Sequence, residues 1–186
     1  MDIFERWRRK YRIDLETTRL VLRPLVPEDV DWISDISVDP EVNRFLWDRP
    51  KSAKQARLLG EAIVYWDLHA CHFGHWAIQD KATNEIHGWT ELGKLRPWWG
   101  PGDEIAISYV LRRASWGRGI ATEAAERLLR YAFEAHRLER VMATIMAGNS
   151  ASRRILEKLG MRFTRSAWLK DTELQYFTVN APDVSD

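Results

Sequence analysis

The chemistry of this chain concentrates between Glu104 and Thr122. An apolar, β-branched run, Glu104 to Leu111, feeds Arg112-Arg113-Ala114-Ser115-Trp116-Gly117-Arg118-Gly119-Ile120-Ala121-Thr122, and a long helical pattern follows. Gly117 and Gly119 let the backbone turn tightly and let a ligand approach with no Cβ in the way. The first amides of a helix have no internal partners and point outward, and the helix dipole adds positive potential at the same place. Together these features describe an anion site suited to phosphate or pyrophosphate. Arg112, Arg113 and Arg118 add local positive charge. The competing reading is a glycine-bearing turn with solvated arginines; the strand-loop-helix context favours anion binding. A dinucleotide site wants G-x-G-x-x-G and an acid ending the next strand. Here the glycine pair continues Ile120-Ala121-Thr122, and the next strand ends Ile145-Met146-Ala147. A Gly-Lys-Ser/Thr phosphate loop is absent as well.

The elements that must hold this turn follow from periodicity. Thr18 to Leu25 alternates Leu20 and Leu22 against Arg19, Val21 and Arg23, as a strand does. Pro27 opens a helix with Glu28 and Asp29 in its first turn, and Ser52 caps a second helix reaching toward Leu68. Phe73 to Gln79 and Ile86 to Leu92 read as strands joined by a polar turn. Gly119 to His136 is the strongest helix, with Ala121, Ala124, Ala125, Leu128 and Ala132 on one face. Val141 to Met146 is a buried strand, Ser150 to Leu159 a short helix stopped by Gly160, and Met161 to Trp168 and Glu173 to Val179 are closing strands. Strands outnumber helical crossovers, so the expected fold class is α/β with a mixed sheet.

Other signals are weaker. His69, Cys71, His72 and His75 form H-x-C-H-x-x-H, but no second ligand pair accompanies them, so no metal is expected. Ten tryptophans read first as large core and rim side chains, and second as an aromatic acceptor groove with Trp98-Trp99 at its centre. Ile3 to Tyr11 has the spacing of an amphipathic helix, and its basic residues read as a solvated face. The 186 residues suit one domain, 1-186, with 1-16 as an N-terminal extension. A formal net charge of +1 gives no steering toward nucleic acid or an anionic membrane. No apolar run approaches the roughly 18 residues that span a bilayer. The single cysteine and the lack of an apolar leader point to a cytoplasmic protein.

Trp116-Gly117-Arg118-Gly119-Ile120-Ala121-Thr122-Glu123-Ala124 resembles the acetyl-CoA pyrophosphate loop of the GNAT N-acetyltransferase superfamily, with Trp116 in the Q/R place of Q/R-x-x-G-x-G/A. It is most similar to the RimJ/RimL-like subgroup. Thr18 to Leu25 with Asp29, Asp39-Pro40-Glu41-Val42, and Asn149 to Met161 resemble three further subgroup segments, so the likeness runs from about Thr18 to Val179.

The resemblance implies six to seven mostly antiparallel strands splayed at the fourth and fifth, flanked by about four helices. Acetyl-CoA would lie in the splay between Glu104 to Leu111 and Val141 to Met146. It would touch Val110, Leu111, Arg112, Trp116, Gly117, Arg118, Gly119, Ile120, Ala121, Thr122, Asn149 and Ser152. A backbone N–H near Val110 would polarise the thioester carbonyl. Many relatives carry a catalytic Tyr seven places after the motif Asn; here that place is Leu156. Ser152, three places after Asn149, is the candidate sulfur partner or proton donor, against a helix Ser bonded to its own backbone. Glu104 and Glu91 are the candidate bases, against surface or structural carboxylates.

The function implied is direct acetyl transfer, in a ternary complex, to a primary amine: a protein N-terminus or a small amine or amino-acid-like molecule. A monomer or homodimer is expected. The alternatives are a non-catalytic acyl-CoA-binding module and a transferase for a longer acyl-CoA.

Overall fold

The computed structural model describes residues 13–46, 48–66, 73–95 and 104–182. The Ile3 to Tyr11 segment, the Trp98-Trp99 pair, and His69, Cys71 and His72 lie outside the described residues.

Strand β1 (Leu15–Glu16) pairs with β2 (Leu20–Pro24), where Leu20 and Leu22 face the core as the alternation requires. A 3₁₀ turn, Pro27–Asp29, leads into α1 (Val30–Val38). Buried Asp29 takes both guanidinium nitrogens of Arg23 at 2.8 Å, the Val26 amide at 2.8 Å and the Trp32 indole at 2.7 Å. Burial raises the Asp29 pKa and these donors more than offset it, leaving the carboxyl below its ordinary value. Asp39 caps the short α2 (Pro40–Asn43) by accepting from the Glu41 amide at 2.9 Å. Ser52 caps α3 (Ala53–Trp66) as expected, its Oγ taking the Gln55 amide at 3.2 Å. There follow β3 (Gly74–Asp80), β4 (Ile86–Lys94), β5 (Ile105–Leu111), α4 (Ile120–Glu134), β6 (Arg140–Met146), α5 (Ser150–Lys158), β7 (Arg162–Leu169) and β8 (Thr172–Asn180).

One sheet of eight strands runs β1-β2-β3-β4-β5-β6-β8-β7. That is one strand more than the pattern predicts, because a two-residue β1 carries no periodicity. Among the described residues five helices stand where about four were expected, the extra one being the four-residue α2.

The sheet is sandwiched. On one face the small stripe Ala121, Ala124, Ala125, Leu128 and Ala132 brings α4 against the strands, and Leu156 anchors α5 beside it. On the other face α1 and α3 pack through Val30, Ile33, Ile63 and Val64 onto Ala77 and Trp89.

Every neighbouring pair is antiparallel except β5 and β6. These run parallel and hold one registered pair, Ala106 with Met142, whereas β4 and β5 hold seven, from Gly88–Leu111 to Lys94–Ile105. The strands therefore part toward their C-terminal ends, where the Gly117–Gly119 turn and Asn149 lie. This is the expected splay, moved to the fifth and sixth strands by the added β1.

Candidate active site

The opening between β5 and β6 is a cavity of about 380 Å³. Tyr109, Val110 and Leu111 line one wall, Trp116, Gly117 and Gly119 to Thr122 the floor, and Gly148 to Ser152 the other wall. Gly117 and Gly119 have φ of +73° and +77°, values that side chains with a Cβ adopt at a cost. A Cβ built on Gly117 meets nothing within 4 Å, so the turn leaves open space in front of its backbone. Gly119 sits at the N-cap of α4 with no side-chain cap, which leaves the first-turn amides of a 15-residue helix to an outside acceptor. Glu123 in that turn is drawn away from the cavity: Thr17 Oγ1 reaches it at 2.6 Å and the Arg19 guanidinium at 2.6–2.7 Å. Burial would raise the Glu123 pKa, but these donors hold it below its ordinary value.

The two edges of β5 are set by its register. Arg112 N–H donates to the His87 carbonyl at 2.9 Å, and Leu95 N–H donates to the Glu104 carbonyl at 2.7 Å. Antiparallel bonding alternates, so the residues between them with even numbers turn their backbone toward β4. Val110 is one of these. The backbone groups turned toward the splay are those of Tyr109 and Leu111. Near Val110, where a backbone donor is expected, the N–H groups that face the splay are therefore those of Tyr109 and Leu111. Trp116 braces the turn, its indole N–H donating to the Leu111 carbonyl at 3.0 Å while its ring is 42% exposed.

The arginines are also placed differently from expectation. Arg112 and Arg118 do not line the cavity; Arg118 turns to Glu85 at 3.9 Å. The cations that do line it are Arg44, Arg154 and Lys158, which come from the α2 end and from α5. Asn149 caps α5, its Oδ1 accepting from Ser152 N–H at 3.1 Å.

A second cavity of about 200 Å³ meets the first at Phe45, Leu46, Tyr109, Val110, Asn149 and Ser152. Leu59, Ile63, Trp89, Leu95 and Met146 make it largely apolar. Glu91 lines it, and Ser108 Oγ donates to Glu91 Oε2 at 3.0 Å. His75 Nε2 lies 3.5 Å from the same oxygen. Thr144 also lines this cavity, with its Oγ1 buried and unpartnered among the described residues. The structure does not bring Glu104 here: it lines neither cavity and its Oε1 is held by Arg140 at 2.5 Å.

Sequence reasoning missed Tyr109. Its hydroxyl donates to the Ser152 carbonyl at 3.4 Å where the cavities meet, and burial pushes its pKa up to about 12. Leu156 is fully buried in the core and also borders the second cavity. Among the described residues, no group of three or more His, Cys, Asp or Glu is placed to hold a metal.

Beneath the turn, fully buried His87 places Nδ1 2.9 Å from Ser115 Oγ; its Nε2 lies 3.8 Å from Asp80 Oδ2 and has no hydrogen-bond partner among the described residues. Burial holds its pKa below the ordinary value, reinforced by Arg118 and opposed by Glu85 and Asp80. A depressed imidazole is neutral in the fold while the unfolded chain takes up a proton. Stability is thus complete above the ordinary imidazole pKa and falls as pH drops through it. Thermal melts should show a larger loss between about pH 7.5 and 5.5 in the parent than in His87→Gln. Equal losses would remove His87 from the acid response.

A family model described as Acetyltransferase (GNAT) domain matches residues 19–162. The chain is 31% identical over 160 residues to an uncharacterized N-acetyltransferase, p20, of Bacillus licheniformis, covering 86% of each chain. It is similar to the crystal structure of an acetyltransferase from Agrobacterium tumefaciens, with TM-score 0.75, 25% identity, and 91% and 95% of the two chains covered. It shares its fold with RimL, a ribosomal L7/L12 α-N-protein acetyltransferase in complex with coenzyme A, at TM-score 0.73 and 14% identity, over 90% of this chain and 98% of that one. Among the described residues, no helix is long and apolar enough to cross a membrane.

Proposed function

This chain belongs to the GNAT acetyltransferase family, and we propose that it acetylates a primary amine held in the second cavity, in a ternary complex with acetyl-CoA lying in the first. The observation that carries this reading is the shared wall of the two cavities, which Tyr109 and Val110 of β5 and Asn149 and Ser152 form together with Phe45 and Leu46. A donor coming from one side and an acceptor from the other would meet there and nowhere else along β5.

Acetyl-CoA supplies an activated acyl carbon and a thiolate leaving group. The chain's own residues do the rest. The amides opening α4 bind the diphosphate, with the glycine turn giving clearance. The Tyr109 N–H turns toward the splay and holds the thioester oxygen as it gains charge. Glu91 takes one proton from the acceptor ammonium, leaving a lone pair to attack. The Tyr109 hydroxyl or the Ser152 hydroxyl donates to the departing sulfur, which gains the amine's second proton. The net products are an amide, a free thiol and one proton.

Tyr109→Phe should lower kcat about tenfold, the worth of one hydrogen bond made at the leaving sulfur, with KM for acetyl-CoA unchanged. A loss below about threefold in Ser152→Ala would exclude the serine as proton donor. The proposal as a whole is tested by incubating the chain with isotopically labelled acetyl-CoA and a panel of small amines and N-terminal peptides, then reading masses. Label on an amine nitrogen supports it. Coenzyme binding without transfer to any acceptor would leave the non-catalytic reading instead.

A further inference from the structure

The floor of the acceptor cavity carries one polar row between apolar ones. Across β3, β4 and β5 the registered residues are His75, Glu91 and Ser108. The rows to either side on the same face are Ala77–Trp89–Val110 and Gly93–Ala106, none with a polar side chain. Setting an imidazole, a carboxylate and a hydroxyl into an apolar floor is costly unless they serve one another or a ligand. Here they converge on one atom. Ser108 Oγ lies 3.0 Å and His75 Nε2 3.5 Å from Glu91 Oε2. The other oxygen, Oε1, lies over Gly93, where a Cβ would come within 3.0 Å of it. The glycine thus keeps room for this carboxylate rotamer.

We infer that His75 is a positioning residue for acceptor deprotonation. It donates from Nε2 to Glu91 Oε2 and turns Oε1 toward the ammonium. This inference rests on the reading of Glu91 as the proton acceptor. The proton leaves the ammonium nitrogen for Oε1 and passes from there to water. Of the other titratable groups lining this cavity, Asp48 comes from the segment after α2, Lys94 from β4 and Tyr109 from β5; the α3 side contributes apolar Leu59 and Ile63.

The test is a cycle of variants read by kcat for one amine and KM for acetyl-CoA. His75→Ala should lower kcat about tenfold with KM for acetyl-CoA unchanged, the worth of one hydrogen bond to the base. His75→Gln keeps a side-chain donor and should recover most of the loss. In a Glu91→Gln background His75→Ala should cost nothing further, because the group it positions is gone. A parental kcat in His75→Ala, no recovery in His75→Gln, or an equal loss in the Glu91→Gln background overturns the role of His75 while a strongly impaired Glu91→Gln leaves the base reading standing. A Glu91→Gln chain with parental kcat overturns both. If His75→Ala does not fold, His75→Phe, which fills the space without a donor, takes its place in the cycle.

Discussion

Glu91→Gln is expected to lower kcat for amine acetylation by about 10²-fold or more, with KM for acetyl-CoA within about twofold of the parent. Glutamine has the same shape, and its carbonyl oxygen can still accept from Ser108 Oγ, so the β4–β5 contact persists. What disappears is the negative charge and the capacity to take a proton. The side chain is one-third exposed, so its removal should leave folding intact. The variant carries its own control. As pH rises and solvent deprotonates the amine, the need for a base falls, and the gap between parent and variant should close. Steady-state kinetics across pH check both parts. A loss below about threefold, or a gap constant with pH, would mean that water or another group takes the proton.

Gly88→Ala should have the largest effect on stability. Gly88 has φ of +150° and pairs with Leu111 on β5. A Cβ there would stand 2.0 Å from the Val110 carbonyl oxygen and 2.8 Å from the Leu111 Cα. Both are backbone atoms, so no flexible side chain can yield. The strands must part at Val110–Leu111, beside the backbone that faces the splay. Overpacking of this kind costs about 3 kcal/mol or more, a fall in Tm of roughly 6–12 °C for a chain of this length. Coenzyme affinity should fall with it, because the same strand forms one wall of the first cavity. A melting temperature within about 2 °C of the parent would show that β4 and β5 do not meet as described.

The features legible in the sequence are those that local physics sets. The alanine stripe of α4 announces itself by spacing, and every residue named for it is buried. Gly117 and Gly119 announce themselves because few other residues tolerate their φ. Ser52 and Gly160 mark helix ends, the latter at φ of +74°. What depends on register was not legible. Whether Val110 or its neighbours present their amides to the splay turns on which residues of β4 they face. The direction of Arg118 and the capture of Glu104 by Arg140 depend on partners distant in the chain. The row His75–Glu91–Ser108 needs two strand registers at once. His75 drew notice only as one of four clustered ligands, while its partner in space is 16 residues on in β4. Tyr109 was invisible for a similar reason: its hydroxyl finds α5 only once β5 and β6 have parted.

The central claim is that the thioester lies in the splay between β5 and β6, with its diphosphate on the turn that opens α4. A crystal structure of the chain soaked with acetyl-CoA tests this directly. Density is expected to run from the amides of Gly117 to Thr122 along the splayed edge of β5, with the thioester carbonyl oxygen within hydrogen-bond distance of the Tyr109 N–H and the acetyl group facing Glu91. Coenzyme bound elsewhere, or with its acetyl group turned away from the second cavity, would contradict it.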